Sequence, residues 1–418
     1  MTAAARSLPA DDGYPSPPEP GLTAEEVVAR AERIADDLVD RQQDTEQRGY
    51  YGLDTHNEFL AAGFYRLLVP RRYGGYEFGL DTYLRVVTAL ARGCASTAWM
   101  YTFGASHAHV AATLFSQAAQ DELFAGGDFI CPGTIGPVGF AQQAEDGGWI
   151  VDGVHRYCSG SPYATHFLGH TLVAGEEGEP PAPMLFAVPR NQWERLDDWG
   201  AQLGLKGSGS HSIKIENAHI PAHNALPGTH IGLATVHDGT PGLELHGNPL
   251  YGGGVLSMIQ FQNGALAVGM ATGALEAYEQ LMRDRMTIYP PITTRAQNPD
   301  FQQSYGEAAG RIATARAALT DAVRQWHETA ARGSAAFTRE VDLRLSLISR
   351  EAVRLSWSAV SDHLFPTAGS SAVRTGERLE RIWRDMSTLH SHAGVSIFLG
   401  KVANRQLAET VFDVAGDQ

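Results

Sequence analysis

Apolar residues at Val27, Val28, Ala31, Ile34, Ala35 and Leu38 recur at the three-and-four spacing of one helical face and predict an opening helix. Thr23 precedes them with Glu26 three residues on, the arrangement of a capping box. The stretch "LDTYLRVVTALARGCASTAWMYTFGASHAHVAATLF" predicts two further helices punctuated around Gly93. From about Asp128 to Pro227 the pattern changes to short β-prone runs: "GGWIVDGVHRYCSG", "FLGHTLVAG", "PMLFAVP", "WERLDDWG" and "SIKIENAHIP". Gly, Pro and Asp-Gly signals bound them, which predicts a small, mostly antiparallel β domain. From about Gly254 long helical patterns return, unusually rich in Ala, and predict a four-helix bundle. Such small residues let helices approach closely, within the chain or between subunits.

Charge and composition remove several classes. The chain has 32 Lys and Arg against 47 Asp and Glu, a formal charge of −15. An acidic chain without a basic stripe is a poor partner for a phosphate backbone, so no nucleic acid is expected. Cys94, Cys131 and Cys158 are too few and too scattered for a disulfide framework or a zinc site. No apolar run approaches the ~20 residues of a membrane helix, so no membrane association is expected. The N-terminal "MTAAARSLPADDGYPSPPEPG" lacks the apolar centre of a signal peptide and reads as a flexible Pro-rich tail. A cytoplasmic protein is expected.

The glycine-rich strings do not make a nucleotide site. "GLKGSGSHS" (204–212) leads into a strand-like alternation, whereas a dinucleotide fingerprint must open a helix. It reads as a turn, and "GTIGPVG" (133–139) fits neither a Rossmann fingerprint nor a P-loop. Ser159 and Ser161 in "HRYCSGSPYATH" lack a nucleophile elbow, and small hydroxyls in turns usually satisfy nearby backbone. His390 and His392 end a helical pattern. Two residues apart they diverge by roughly 200° on a helix, so they do not share one metal there. At most one is aimed into a pocket; a solvated or capping role is the plain alternative.

Six strings carry a family resemblance: "LLVPRRYGGYE" (67–77), "GCASTAWM" (93–100), "EDGGWIVDGVHRYCSG" (145–160), "WGAQLGLKGSGSHSIKIENAHIP" (199–221), "NPDFQQSYGEAAGRI" (298–312) and "RIWRDMSTLHSHAG" (381–394). In this order they resemble the acyl-CoA dehydrogenase superfamily, more closely its flavin-dependent monooxygenases, the oxygenase halves of two-component systems. The resemblance, which covers roughly residues 25–410, implies an α+β fold: after the disordered tail over 1–22 expected from composition come an N-terminal helical domain over 23–126, a central antiparallel β-barrel-like domain over 127–237, and a C-terminal four-helix bundle over 238–418.

It also implies a chemistry. Reduced FMN or FAD, supplied by a separate NAD(P)H-dependent flavin reductase, would react with O2 as cosubstrate. A C4a-hydroperoxyflavin would then oxygenate an aromatic or heteroaromatic small molecule. Many acyl-CoA dehydrogenases place a base Glu just after the "RD" helix; this chain has none there, and His392 falls where the monooxygenases place a catalytic histidine. By the same resemblance Ser159 is the hydroxyl near flavin N5, and Gly133, Thr134 and Tyr157 line the ring. Arg285 (with Arg283 as fallback) reaches a neighbouring subunit's flavin phosphate in a homotetramer, and Phe301 covers the cofactor across that interface. His107 and, one turn earlier, Phe103 contact substrate. An N- or S-oxygenase on the same scaffold, an acyl-CoA dehydrogenase with Glu244 as base, and a scaffold without chemistry are the alternatives. Residues 231–255 are expected to form a loop over the pocket.

Overall fold

Thr23 caps α1 (Ala24–Arg48) reciprocally: its hydroxyl accepts from the Glu26 N–H at 3.2 Å, and its own N–H donates to the Glu26 carboxylate at 2.9 Å. The computed structural model describes residues 14–175 and 178–414. Residues 1–13 of the expected tail lie outside that range. The remainder, expected to be loose, lies against the helical region, where Leu22 is buried and Glu19 pairs with Arg30 at 2.8 Å.

α2 (Leu53–Ala61), α3 (Leu80–Gly93), α4 (Ala95–Ala105), α5 (His107–Leu114) and α6 (Gln117–Leu123) complete the N-terminal helical region. The stretch expected as two helices is three, since Ser106 interrupts the second pattern. Ser106 keeps right-handed helical angles (φ −68°, ψ −30°), so α4 passes into α5 with little change of direction. Trp99, Phe103 and His107, four residues apart, therefore stay on one face.

The β region consists of β1 (Gln142–Gln143), β2 (Trp149–His155), β3 (His166–Val173), β4 (Ala182–Pro189), β5 (Glu194–Arg195), β6 (Ile213–Ile220) and β7 (Ala225–Pro227). They form two antiparallel sheets, ordered β1-β2-β6-β5 and β3-β4-β7. Val151, Phe167, Phe186, Ile213 and Ile215 are buried in one shared core. "WERLDDWG" yields only the two-residue β5. Asp198 turns back to accept from the Ser212 N–H at 2.8 Å and hydroxyl at 2.6 Å, a local competition with the ladder. The segment from Pro132 to Ala141 runs parallel to β3 through bridges Gly133–Leu168 and Phe140–Leu172.

Residues 231–255 are more than a loop. They contain α7 (Pro241–His246), packed against α5, and a 3₁₀ turn at Pro249–Gly252 whose Leu250 carbonyl accepts from His109 at 2.8 Å. α8 (Val255–Asp284), α9 (Pro299–Ala330), α10 (Arg339–Ser358) and, after the short α11 (Phe365–Ala368), α12 (Arg378–Ser391) build the bundle. α8 is apolar nearly all round, because α3, α9, α10 and α12 surround it. Gly269 lets it reach α3: a Cβ there would stand 2.4 Å from the Thr88 carbonyl oxygen. The small-residue signal thus serves packing within the chain. A π-helical stretch, Gly394–Val402, and α13 (Ala403–Phe412) end the described residues. Among these, no helix is long and apolar enough to cross a membrane.

α12 also fixes the sheet region. Asp385 accepts from the Leu205 N–H, Thr388 accepts from the Gly204 N–H at 3.0 Å, and Arg384 donates to the Leu203 carbonyl at 2.9 Å. Glu46 of α1 joins the corner through Arg384 at 2.7 Å and Arg381 at 3.0 Å. Burial pushes the Asp385 carboxyl up to about 7 despite the nearby arginines.

Candidate active site

Trp99 connects the parts. Its indole Nε1–H donates to Ser159 Oγ at 2.9 Å, and its ring meets His392 edge-to-face, with centroids 5.3 Å apart and planes at 77°. Phe103 packs on the same indole at 4.8 Å. Ser159 comes from the turn after β2, His392 from the end of α12, and Trp99 and Phe103 from α4. Three regions of the chain thus converge on one aromatic side chain.

His392 is the single extended residue (φ −59°, ψ 134°) between α12 and the π-helical stretch, and this break turns its ring inward. Its Nδ1 accepts from the Gly394 N–H at 3.3 Å, a long and weak bond. Burial without a compensating charge pushes its pKa down to about 4, so the ring is neutral at neutral pH. With Nδ1 accepting, that neutral ring carries its hydrogen on Nε2. His390 goes elsewhere and stacks on Trp357 at 5.4 Å.

His107 continues the stripe. Its Nδ1–H donates to the Cys131 carbonyl at 2.7 Å, with the Phe103 carbonyl at 3.0 Å, which leaves Nε2 as a bare acceptor. Burial lowers its pKa. The ring lies over Gly133: a Cβ there would stand 2.8 Å from His107 Nε2 and 3.2 Å from the Leu168 carbonyl oxygen. Beside it, the Thr134 N–H donates to the Leu168 carbonyl at 3.2 Å, its carbonyl accepts from His170 at 2.6 Å, and its hydroxyl meets His155 Nδ1 at 3.2 Å. Thr134 has spent its main-chain groups; Gly133 keeps its own amide clear of the ladder.

Tyr157 has a left-handed backbone (φ 63°), uncommon for a residue with a side chain, and its ring is 68% exposed, edge-on to Trp199 at 6.0 Å. Arg285 and Phe301 stand apart from the Trp99 cluster, around the loop between α8 and α9. Arg285 is exposed and makes no ion pair among the described residues, whereas Arg283 pairs with Glu279 at 3.1 Å. Phe301 lies half-buried under the Arg295 guanidinium at 4.9 Å. Glu244 is exposed on α7.

Sequence reasoning missed Trp99 and the two serines that extend the cluster. Ser210 Oγ lies 2.7 Å from Ser159 Oγ, and Ser208 Oγ lies 2.7 Å from Ser210 Oγ. Trp99 was visible as the residue one turn before Phe103; the serines sat in a string that reads as an ordinary turn. An exposed aromatic ring, a glycine amide and a hydroxyl at the edge of a buried cluster fit a planar heteroaromatic ring with polar edges.

Comparisons with known proteins identify the family. Residues 23–124 match the family described as acyl-CoA dehydrogenase, N-terminal domain, and residues 262–397 its C-terminal domain. The chain is 30% identical over 372 residues to the flavin-dependent monooxygenase, oxygenase subunit HsaA, of Rhodococcus jostii (strain RHA1), covering 88% of this chain and 94% of that protein. It is 25% identical to the FADH(2)-dependent resorcinol hydroxylase, oxygenase component, of Rhizobium sp. (strain MTP-10005), over 91% of this chain and 93% of that one. The crystal structure of 3-HSA hydroxylase from Rhodococcus sp. RHA1 superposes with a TM-score of 0.84 at 26% identity, covering 94% and 98% of the two chains.

Proposed function

Because the chain belongs to the acyl-CoA dehydrogenase superfamily, in its branch of flavin-dependent monooxygenase oxygenase components, we propose that it hydroxylates a phenol or related aromatic small molecule, using O2 and reduced FMN or FAD received from a separate NAD(P)H-dependent reductase. The reduced flavin, when bound, supplies the electrons that activate O2. Ser159, Gly133 and Tyr157 would hold its ring. The observation that carries this reading is the Trp99 indole, which joins the buried Ser159 hydroxyl and the half-buried His392 imidazole in one cluster.

The substrate follows from the histidines. His107 offers a bare Nε2 that accepts from a donor on the substrate other than the hydroxyl facing His392, such as a second phenol O–H or an indole N–H. A thiophene sulfur has no hydrogen to give, so this acceptor favours hydroxylation of a donor-bearing ring over S-oxygenation. His392 is neutral at neutral pH and meets the Trp99 indole edge-to-face, with Phe103 packed on that same indole. It takes the substrate's hydroxyl proton at Nε2 after moving its own hydrogen to Nδ1, at the expense of only the weak contact from Gly394. With a pKa pushed down to about 4, it accepts that proton as negative charge leaves the oxygen for the ring, not beforehand. The exposed Glu244 argues against a dehydrogenase.

A homotetramer in which Arg285 reaches a neighbouring subunit's flavin phosphate is part of the proposal. The unpaired Arg285 and the exposed Ile288, Tyr289 and Ile292 beside it support an interface there. Phe301, already covered by Arg295, is the weaker member of that pair.

The test is to supply the purified protein with NADH, flavin, an unrelated flavin reductase, ¹⁸O₂ and a panel of phenols. One labelled oxygen per product is expected. Turnover with NADH in the absence of reductase, or unlabelled product, would overturn the assignment.

A further inference from the structure

Three hydroxyls and one indole in the site settle their own hydrogen positions. An indole N–H only donates, so Ser159 Oγ accepts from Trp99 at 2.9 Å. Ser208 is 0% exposed, and its side chain bonds only to Ser210 among the described residues, at 2.7 Å. If Ser208 accepted that bond, its own hydrogen would be buried without a partner, the costlier kind of omission. Ser208 therefore donates to Ser210. Ser210 is 4% exposed and has one other hydroxyl within reach, Ser159 at 2.7 Å. By the same reasoning Ser210 donates onward. Ser159 then receives two hydrogen bonds, its lone pairs are filled, and its one hydrogen is the group left over. Ser159, 9% exposed, is also the most accessible of the three.

We propose that Ser208 and Ser210 are positioning residues, which polarise Ser159 into an obligatory hydrogen-bond donor toward the flavin. This rests on the reading above that Ser159 faces the flavin ring at N5. A fixed donor prefers a bare ring nitrogen, as oxidised flavin has at N5, over one that carries a hydrogen, as in reduced flavin. Relative stabilisation of the oxidised form makes the bound reduced flavin a stronger electron donor to O2. The two serines thus set a redox preference without touching the cofactor.

The experiment is anaerobic titration of the flavin-free protein with oxidised and with dithionite-reduced FMN, read by tryptophan fluorescence, to give the ratio of the two Kd values. Ser210→Ala is expected to weaken oxidised FMN relative to reduced FMN by about fivefold, the factor of one ordinary net hydrogen bond. Ser208→Ala should shift the ratio in the same direction by less, and Ser210→Thr, which keeps the hydroxyl, should restore it. A general loosening of the site would weaken both forms alike and would not be rescued by Thr. An unchanged or reversed ratio in Ser210→Ala, alongside a Ser159→Ala variant that does shift it, overturns the relay and leaves the flavin site standing. If Ser159→Ala changes neither affinity, the placement of Ser159 at the flavin falls, and the relay with it.

Discussion

The Trp99 indole hydrogen-bonds Ser159 at 2.9 Å, and that bond ties α4 to the turn leaving β2. Since the same ring system also meets His392 edge-to-face at 5.3 Å, one side chain positions both the hydroxyl and the imidazole. A buried indole fixed by both packing and a hydrogen bond has little freedom to tilt. The separation of the two polar groups is therefore a property of the apoprotein.

His392→Ala should reduce turnover of a phenolic substrate by about 10²–10⁴-fold, the usual weight of a positioned acid–base group. In the parent protein the acid limb of kcat/KM should lie near the depressed value of about 4 and not near the ordinary imidazole pKa of ~6.5. Short-time assays between pH 4 and 8 measure it. An acid limb near 6.5 would show that another group governs the proton.

Gly133→Ala should harm binding more than stability. The added methyl would meet His107 Nε2 at 2.8 Å, and the imidazole must move. Displacing it withdraws the acceptor offered to the substrate. A rise in KM of roughly 5–100-fold is expected, the factor for a hydrogen bond lost to a buried polar group. Steady-state kinetics on a phenol carrying a second donor and on an analogue lacking that second donor will separate the effects, because the analogue should be affected less.

Acid should destabilise the fold well above the carboxylate range. Burial pushes His109, His155, His166, His246 and His392 down to about 4, whereas the unfolded chain titrates them near ~6.5. Between those values the unfolded state binds the protons and the folded state does not, so stability falls as pH falls from ~6.5 toward 4. His155→Phe should flatten this dependence. Urea midpoints from pH 7 to pH 4.5 report it, and an unchanged slope would contradict the burial argument.

Asp385 acts with the opposite sign. Its folded pKa, pushed up to about 7, exceeds the unfolded value of ~3.9, so its contribution is full at low pH and is lost as pH rises through 7. Asp385→Asn keeps an oxygen for the Leu205 N–H and removes the titration. Its stability should decline less between pH 5 and 8 than that of the parent, as measured by denaturant midpoints.

Much of this was readable in the chain. The capping box at Thr23, the long bundle helices and the strands at β2, β3, β4 and β6 follow from local periodicity, and the structure forms them. His390 and His392 do diverge, though not by helical spacing: α12 ends at Ser391, and the extended backbone of His392 turns its ring away from the helix. Other features depend on distant partners. The Ser159–Ser210–Ser208 chain joins positions 51 residues apart in sequence, and no turn signal distinguishes hydroxyls that face each other from hydroxyls that face water. The depressed imidazole of His392 is likewise a consequence of its burial, which residue type alone does not reveal. The order of residues 14–22 comes from Glu19 finding Arg30, although their composition alone suggested a loose tail.

The corner where Arg384, Asp385 and Thr388 seize Leu203–Leu205, with Glu46 bracing it from α1, has a mechanical consequence. To swing the sheets away from the bundle there, several bonds to charged groups must break together, at a cost no small visitor repays. That corner is a hinge-free seam, and the water-exposed Tyr157 stands beside it, edge-on to Trp199, whose indole donates to the Leu205 carbonyl at 3.3 Å, so whatever meets that tyrosine meets a wall that does not yield.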